Sequence, residues 1–235
     1  MPVNDKFQGF PRALFRFLQA LSENNNRDWF NEHKDSYRAD VVDPVLDFIE
    51  AMRPRLRKIS PHYLVDSRPH GGSMFRIYRD TRFAKDKRPY KENVGCQFRH
   101  EAGKDAHAPG FYVHIANDGI FFGGGVWLPP YEVLGKIRDA IVDKPEEWKK
   151  ITRNRTFIKH FGGVHGDGLK RPPRGYDPGN PYIEDLKRKT FFAMQRCDED
   201  LAASPEFINE VTRAFRAASP LMAFLTGAID LPFEA

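Results

Sequence analysis

Between Pro11 and Leu56 apolar residues return at every third or fourth position. Leu14, Phe17, Leu18 and Leu21 form the first such series, the spacing that stacks side chains on a single face of a helix. Pro11 suits an early helical position, where its missing N–H is not needed. Asn24, Asn25 and Asn26 end that helix and offer a cap to the next, whose first turn carries Asp28 where the macrodipole favours an acid. Trp29, Phe30, His33 and Tyr37 continue an aromatic stripe, and Val41, Val45, Phe48, Ile49, Met52 and Leu56 an aliphatic one. Pro44 predicts a kink or a fresh start within it. Ordinary core packing accounts for the whole stripe.

From about Tyr63 to Trp127 the period falls to two. Met74 to Arg79, Val94 to Arg99, Phe111 to Ile115 and Ile120 to Phe122 read as strands, with Asn117-Asp118-Gly119 as the turn of a hairpin. Short connections between sequential strands favour antiparallel pairing. Helical spacing returns at Val133, Leu134, Ile137 and Ile141 after Pro130, and Pro145 opens a short helix holding Trp148 and Ile151. A loop rich in glycine and proline runs from Gly162 to Pro181. A turn of helix, a strand from Thr190 to Arg196 and a final helix opened by Ser204-Pro205-Glu206 complete the chain. Helices first, then a meander sheet, then helices predict one α+β domain over residues 1–235.

Composition narrows the classes of protein this can be. The 235 residues are 40% hydrophobic and 29% charged, enough apolar material for a core, which excludes disordered, collagen-like and mucin-like chains. No run approaches the roughly 18 apolar residues of a membrane span, and MPVNDKFQGFPR lacks a signal peptide's apolar stretch. A cytoplasmic protein with no membrane partner is expected. Cys96 and Cys197 stand far apart, which predicts two reduced thiols. Eight histidines show no HExxH, no H-x-H and no cysteine pair nearby, so no metal site is expected. Gly123-Gly124-Gly125 lacks the Lys-Ser/Thr of a phosphate loop and reads as a turn or bulge, as does Gly71-Gly72. No cofactor motif and no serine or cysteine nucleophile motif is present.

The formal charge of +5 becomes informative once its placement is considered. Arg76 to Lys91 holds seven basic residues against Asp80 and Asp86, and Trp148 to Arg174 holds eight against Asp167 alone. Two basic islands in an acidic frame point to localised anion binding. In the first, Arg76, Tyr78 and Asp80 share one face by parity, while Arg79 shares the side of Phe75 and Ile77 and is expected to be buried against a carboxylate. Arg76, Arg79, Arg82, Lys85, Lys87 and Lys91 are candidates to hold an anion, with Tyr78 and Tyr90 orienting it. The ordinary alternative is a solvated loop of internal ion pairs. Lys170, Arg171 and Arg174, on the Gly- and Pro-rich loop, could wall the same site or form plain surface. Asp80 and His114 are the candidate proton-transfer groups, His114 sharing a strand face with Tyr112. His160 and His165 could also meet an anion.

The blocks FQGF, NNNRDWF, FRIYRDTRF, KDKRPYK, GFYVHI, the glycine run before Trp127-Leu-Pro, and LKRPPRGYD occur in an order that resembles the family catalogued as DUF2461, a domain of unknown function. The resemblance covers nearly the whole chain. It implies one conserved domain and brings no established activity.

Three functions remain open from the residues. The leading expectation is a pocket for a small phosphate- or carboxylate-bearing ligand, in an enzyme or a sensor. A nucleic-acid surface is the second, with Phe83, Tyr90 and Phe98 interleaved among the cations, although no helix-turn-helix, zinc-finger or RNP pattern supports it. A protein-interaction module is the third.

Overall fold

Caps decide where the first helices begin and end. In the computed structural model, which describes residues 7–103 and 108–234, α1 spans Arg12–Glu23 directly after Pro11, and α2 spans Arg27–Glu32. The Asn26 side chain accepts from the Trp29 N–H at 3.0 Å and so starts α2. A three-residue α3 (Lys34–Ser36) leads into a π-helical stretch, Tyr37–Val42, and then into α4, Asp43–Arg57. Pro44 sits in the first turn of α4, so the irregularity its sequence position predicts is taken up by the wider π turns just before it.

Four strands follow in spatial order: β1 (Asn93–Arg99), β2 (Gly110–Ala116), β3 (Gly119–Val126) and β4 (Phe191–Cys197), every neighbouring pair antiparallel. Asn117 and Asp118 turn the β2–β3 hairpin, with Ala116 opposite Gly119. Between β3 and β4 the chain forms α5 (Tyr131–Asp143), α6 (Pro145–Thr152), α7 (Arg155–Phe161), the long loop and α8 (Ile183–Leu186). A short α9 (Glu199–Ala202) and the long α10 (Phe207–Gly227) end it. This is an α+β fold with helices at both ends, as the change of period predicts.

Strand alternation gives the sheet two unlike faces. Val94, Cys96 and Phe98 of β1, Phe111, Val113 and Ile115 of β2, and Ile120 and Phe122 of β3 are buried. They meet α10, whose Phe215 stacks on Phe111 with ring centroids 4.6 Å apart and whose Phe207 meets Phe122 edge-on. Each such large side chain contributes about 1.5–3 kcal/mol when buried. The buried residues of the helices and the sheet form one continuous core. The other face carries Gln97, Tyr112, His114, Phe121, Phe192 and Met194, all only partly buried.

Two sequence expectations are corrected here. Met74–Arg79 is no regular strand; it makes only isolated bridges, Met74 to Cys96 and Tyr78 to Tyr90. Its backbone is shared between two partners: Phe75 N–H donates to Gly95 of β1, whereas Arg79 N–H donates to Pro89 and Lys91 N–H to Ile77 of its own loop. The change of partner breaks the alternation, so Met74 and Ile77 are buried while Phe75 is 40% exposed. Gly123-Gly124-Gly125 is not a turn but the middle of β3. Strand β4 runs so close that a Cβ on Gly123 would lie 1.9 Å from the Ala193 carbonyl oxygen, which only glycine tolerates. No helix among the described residues is long and apolar enough to cross a membrane.

Candidate functional site

Residues 76–92 leave β1's edge as a loop that is pinned at its base. The Asn25 amide donates to the Tyr90 carbonyl at 3.1 Å and to Glu92 at 2.7 Å, and its oxygen accepts from the Tyr90 N–H at 3.1 Å. Tyr90 stacks on Phe30 with centroids 4.1 Å apart. Asn25 thus clamps the loop to the helices, a role its place in an Asn triplet does not reveal.

Within the loop most cations are already answered. Asp86 accepts from Arg79 at 2.7 Å and from Arg88 at 2.9 Å, and Arg88 also reaches Glu92 at 2.6 Å. Asp80 takes both Nε and Nη2 of Arg82, at 3.0 and 2.7 Å. These bonds, with those from the backbone, hold the Asp80 and Asp86 carboxyls below the usual carboxylate range, Arg82 acting on the first and Arg88 chiefly on the second. Lys87 donates to the Thr81 carbonyl at 3.0 Å. Arg79 is paired with a carboxylate as expected, but it is not buried as its parity predicts, its side chain remaining 27% exposed because the alternation breaks in this segment. Arg76, Lys85 and Lys91 have no carboxylate partner among the described residues. Lys91 lies over the Phe75 ring, its Nζ 5.3 Å from the centroid. Partial burial, reinforced by the positive charge of Arg76, pushes its pKa down.

A cavity of about 470 Å³ opens beside this loop. Arg79, Tyr90 and Lys91 line one side, Gln19 and Ser22 of α1 another, and His114 with Asp118 the hairpin side. The Tyr112 hydroxyl lies 3.1 Å from Nδ1 of His114, and the imidazole stacks on Phe121 at 4.4 Å with only 11° between planes. Desolvation lowers the pKa of His114 and raises that of Tyr112 to about 12. At neutral pH the pair is therefore an uncharged imidazole beside a protonated phenol, and with the phenol donating to Nδ1 the ring carries its own proton on Nε2.

The structure brings together Arg79, Tyr90, Lys91 and His114 around the cavity, with Arg76 beside Lys91. Tyr78 faces Tyr90 across the bridge, with centroids 5.5 Å apart, and is itself exposed. Asp80, Arg82, Lys85 and Lys87 do not line the cavity; all four are exposed on the loop. Lys170, Arg171 and Arg174 are exposed on the loop whose His165 and Gly168 bridge to Phe192 and Arg188, on the β4 side. The two islands are thus tethered to opposite edge strands, and no residue of the second lines the cavity. His160 is bonded to Gln195 at 2.7 Å and His165 to the Phe161 carbonyl at 2.6 Å.

Two further features escape sequence reasoning. A cleft of about 410 Å³ between α4 and α10 gathers Lys58, Arg213 and Arg216, residues some 150 positions apart in the chain. Arg138 of α5 is 3% exposed, donates to the Arg188 carbonyl at 3.0 Å, and leaves its Nε without a partner. Helical spacing marks its neighbours Ile137 and Ile141 as core, and nothing in that spacing singles out a guanidinium between them. No group of three or more metal-ligating side chains occurs among the described residues.

A helix-backed, four-stranded antiparallel sheet with a clamped cationic loop at its first strand defines an α+β class of protein. The chain belongs to the family described as "Conserved hypothetical protein (DUF2461)", whose model matches residues 13–224. No curated protein and no solved structure matches it.

Proposed function

We propose that the protein binds a small phosphate- or carboxylate-bearing ligand where Lys91, with Arg76 near it, meets the cavity. The observation that carries this reading is a pair of neighbouring cations, one partly desolvated, neither of them in a salt bridge among the described residues, although the charge of Arg76 also acts on Asp80. Like charges brought together at a cost in hydration and repulsion leave a place for an anion. Arg79, Arg82 and Arg88 support the loop rather than the ligand, because Asp80, Asp86 and Glu92 answer them, while Lys85 and Lys87 are exposed and do not line the cavity. Where the bound ligand takes part in a hydrogen bond or proton transfer, the neutral His114 offers its Nε2–H as donor, Nδ1 being engaged by Tyr112, and Asp80 is withdrawn because Arg82 holds its carboxylate.

The competing nucleic-acid reading loses two of its three stacking candidates. Phe98 is fully buried and Tyr90 is 3% exposed, which leaves only Phe83, 95% exposed, free to meet a base.

The test is a thermal-shift titration of the full chain with inorganic phosphate and with acetate against chloride at matched ionic strength. A ligand at a hundredfold excess over its Kd adds about 2.7 kcal/mol to native stability, and each kcal/mol moves the midpoint of a chain this size by about 2–4 °C. Stabilisation that is lost in Arg76→Ala and Lys91→Ala supports the reading. No stabilisation by any small anion beyond matched chloride overturns it.

A further inference from the structure

The cleft between α4 and α10 is walled by cations from both helices. Arg55 and Lys58 stand three residues apart at the end of α4, and Arg213 and Arg216 three apart in α10. Residues at that spacing are neighbours on a helix surface, so each pair brings like charges together. No acidic and no aromatic side chain lines the cleft among the described residues; Pro54, Asn209 and Thr212 complete it. The helices cannot splay to relieve the repulsion, because the core holds them: Phe48 of α4 packs on Phe207 of α10 with centroids 5.7 Å apart, and Met52, Leu56, Val211 and Phe215 are buried.

The ordinary needs of the fold account for only part of this charge. Cations in the last turn of α4 suit the negative end of its macrodipole, and Arg55 donates to the Ala51 carbonyl at 3.1 Å. Arg213 donates to Glu210 at 2.6 Å, and Glu210 divides its oxygens between Arg213 and Gln195. Arg216 stands near the middle of the 21-residue α10, away from either terminal dipole. Neither Arg216 nor Lys58 has a hydrogen bond or ion pair among the described residues, and both are exposed.

We infer that this cleft is a second anion site, separate from the cavity at Lys91, and that it takes a diphosphate group, free or carried by a nucleotide. The two sites share no lining residue. Cations on two facing helices suit an anion with charge at two centres, one phosphoryl group toward Lys58 and the other toward Arg216, whose paired donors fit phosphoryl oxygens. The volume of about 410 Å³ lies within the range of small-molecule sites. Without an aromatic wall a base finds nothing to stack on, so recognition ends at the phosphates.

The experiment is calorimetry on the full chain with pyrophosphate, inorganic phosphate and ADP, at constant ionic strength and without divalent cations. Pyrophosphate is expected to bind roughly tenfold more tightly than phosphate, and ADP within about threefold of pyrophosphate. Lys58→Ala and Arg216→Ala each remove an exposed, unbonded side chain. Thermal midpoints should stay unchanged in both, while pyrophosphate affinity falls by about fivefold or more. Lys91→Ala should leave pyrophosphate affinity within about twofold, which separates this cleft from the site proposed above. Absence of pyrophosphate binding, or equal affinities for pyrophosphate and phosphate, overturns the inference. So does a loss confined to Lys91→Ala. ADP binding tighter than pyrophosphate by more than about threefold overturns recognition through the phosphates alone. Tighter binding of a single-stranded dodecanucleotide than of pyrophosphate, with steep salt dependence, overturns the small ligand in favour of a polymer.

Discussion

The hydroxyl of Tyr112 and Nδ1 of His114 lie 3.1 Å apart, two residues along the same face of β2. A hydrogen bond donated to a neutral imidazole favours the neutral form, and burial against Phe121 acts in the same direction. Tyr112→Phe should therefore raise the His114 titration midpoint. A neutral hydrogen bond is worth about 0.5–1.5 kcal/mol, so the rise should be at most about one pH unit, read by NMR of the ring protons. An unchanged or lowered midpoint would mean that the phenol accepts from Nδ1–H instead.

The same histidine fixes the sign of one pH effect. Its folded pKa lies below the ordinary 6.5 because of desolvation. The unfolded chain then takes up a proton first, and stability should fall as pH drops below about 6.5 towards the folded midpoint. His114→Gln should flatten that slope in urea midpoints measured between pH 7 and 5, with no change above pH 7.

Asp86 works in the opposite direction and at lower pH. Its carboxyl is held down by Arg88 and Arg79, so the stability it confers is present above its unfolded pKa near 3.8 and is lost as pH falls further. Asp86→Asn should remove that acid-dependent component from a denaturation series between pH 5 and 2. It should also loosen residues 79–92, seen as faster backbone amide exchange at Arg79 and Lys91.

Neighbouring glycines of β3 should respond differently to one added methyl. At Gly123 the new Cβ meets backbone, the Ala193 oxygen at 1.9 Å, whereas at Gly124 it meets the flexible Met222 side chain, with Sδ at 2.7 Å. Gly123→Ala should cost at least the roughly 1–3 kcal/mol of an overpacked core. Gly124→Ala should cost clearly less, because a thioether can rotate away and a carbonyl in the ladder cannot. Equal losses in denaturant titrations would contradict the close β3–β4 approach.

Arg138 is a buried cation that no carboxylate answers among the described residues. Desolvation pushes its pKa down. Replacing such a group by an apolar side chain of similar length removes the burden of desolvation and keeps the packing. Arg138→Met should change stability by less than about 1.5 kcal/mol or increase it, whereas Arg138→Ala should lose about 2 kcal/mol or more through the cavity. A large loss in both would assign the stability to the bond with the Arg188 carbonyl.

The sequence by itself determined most of the elements and the side they bury, but not Met74–Arg79, whose pairing partner changes along its length, nor α7. Leu14, Leu18 and Leu21, or Phe111, Val113 and Ile115, are buried where their period places them, because helix and strand geometry are local and water excludes the same residues from either. The blocks from FQGF to LKRPPRGYD also carried the family resemblance. Tertiary structure decided which cations are free. Arg79 and Arg88 share Asp86, Arg82 takes Asp80, and Lys91 is left beside Arg76, a division that depends on how a loop folds back on itself and that no spacing encodes. It decided that the glycine run is the middle of a strand and not a turn, since the reason lies in the approach of β4, about 70 residues later in the chain. It also set the two basic islands on opposite edges of the sheet, because charge composition records how many cations a segment holds, and only the pairing of strands fixes which of them share a surface.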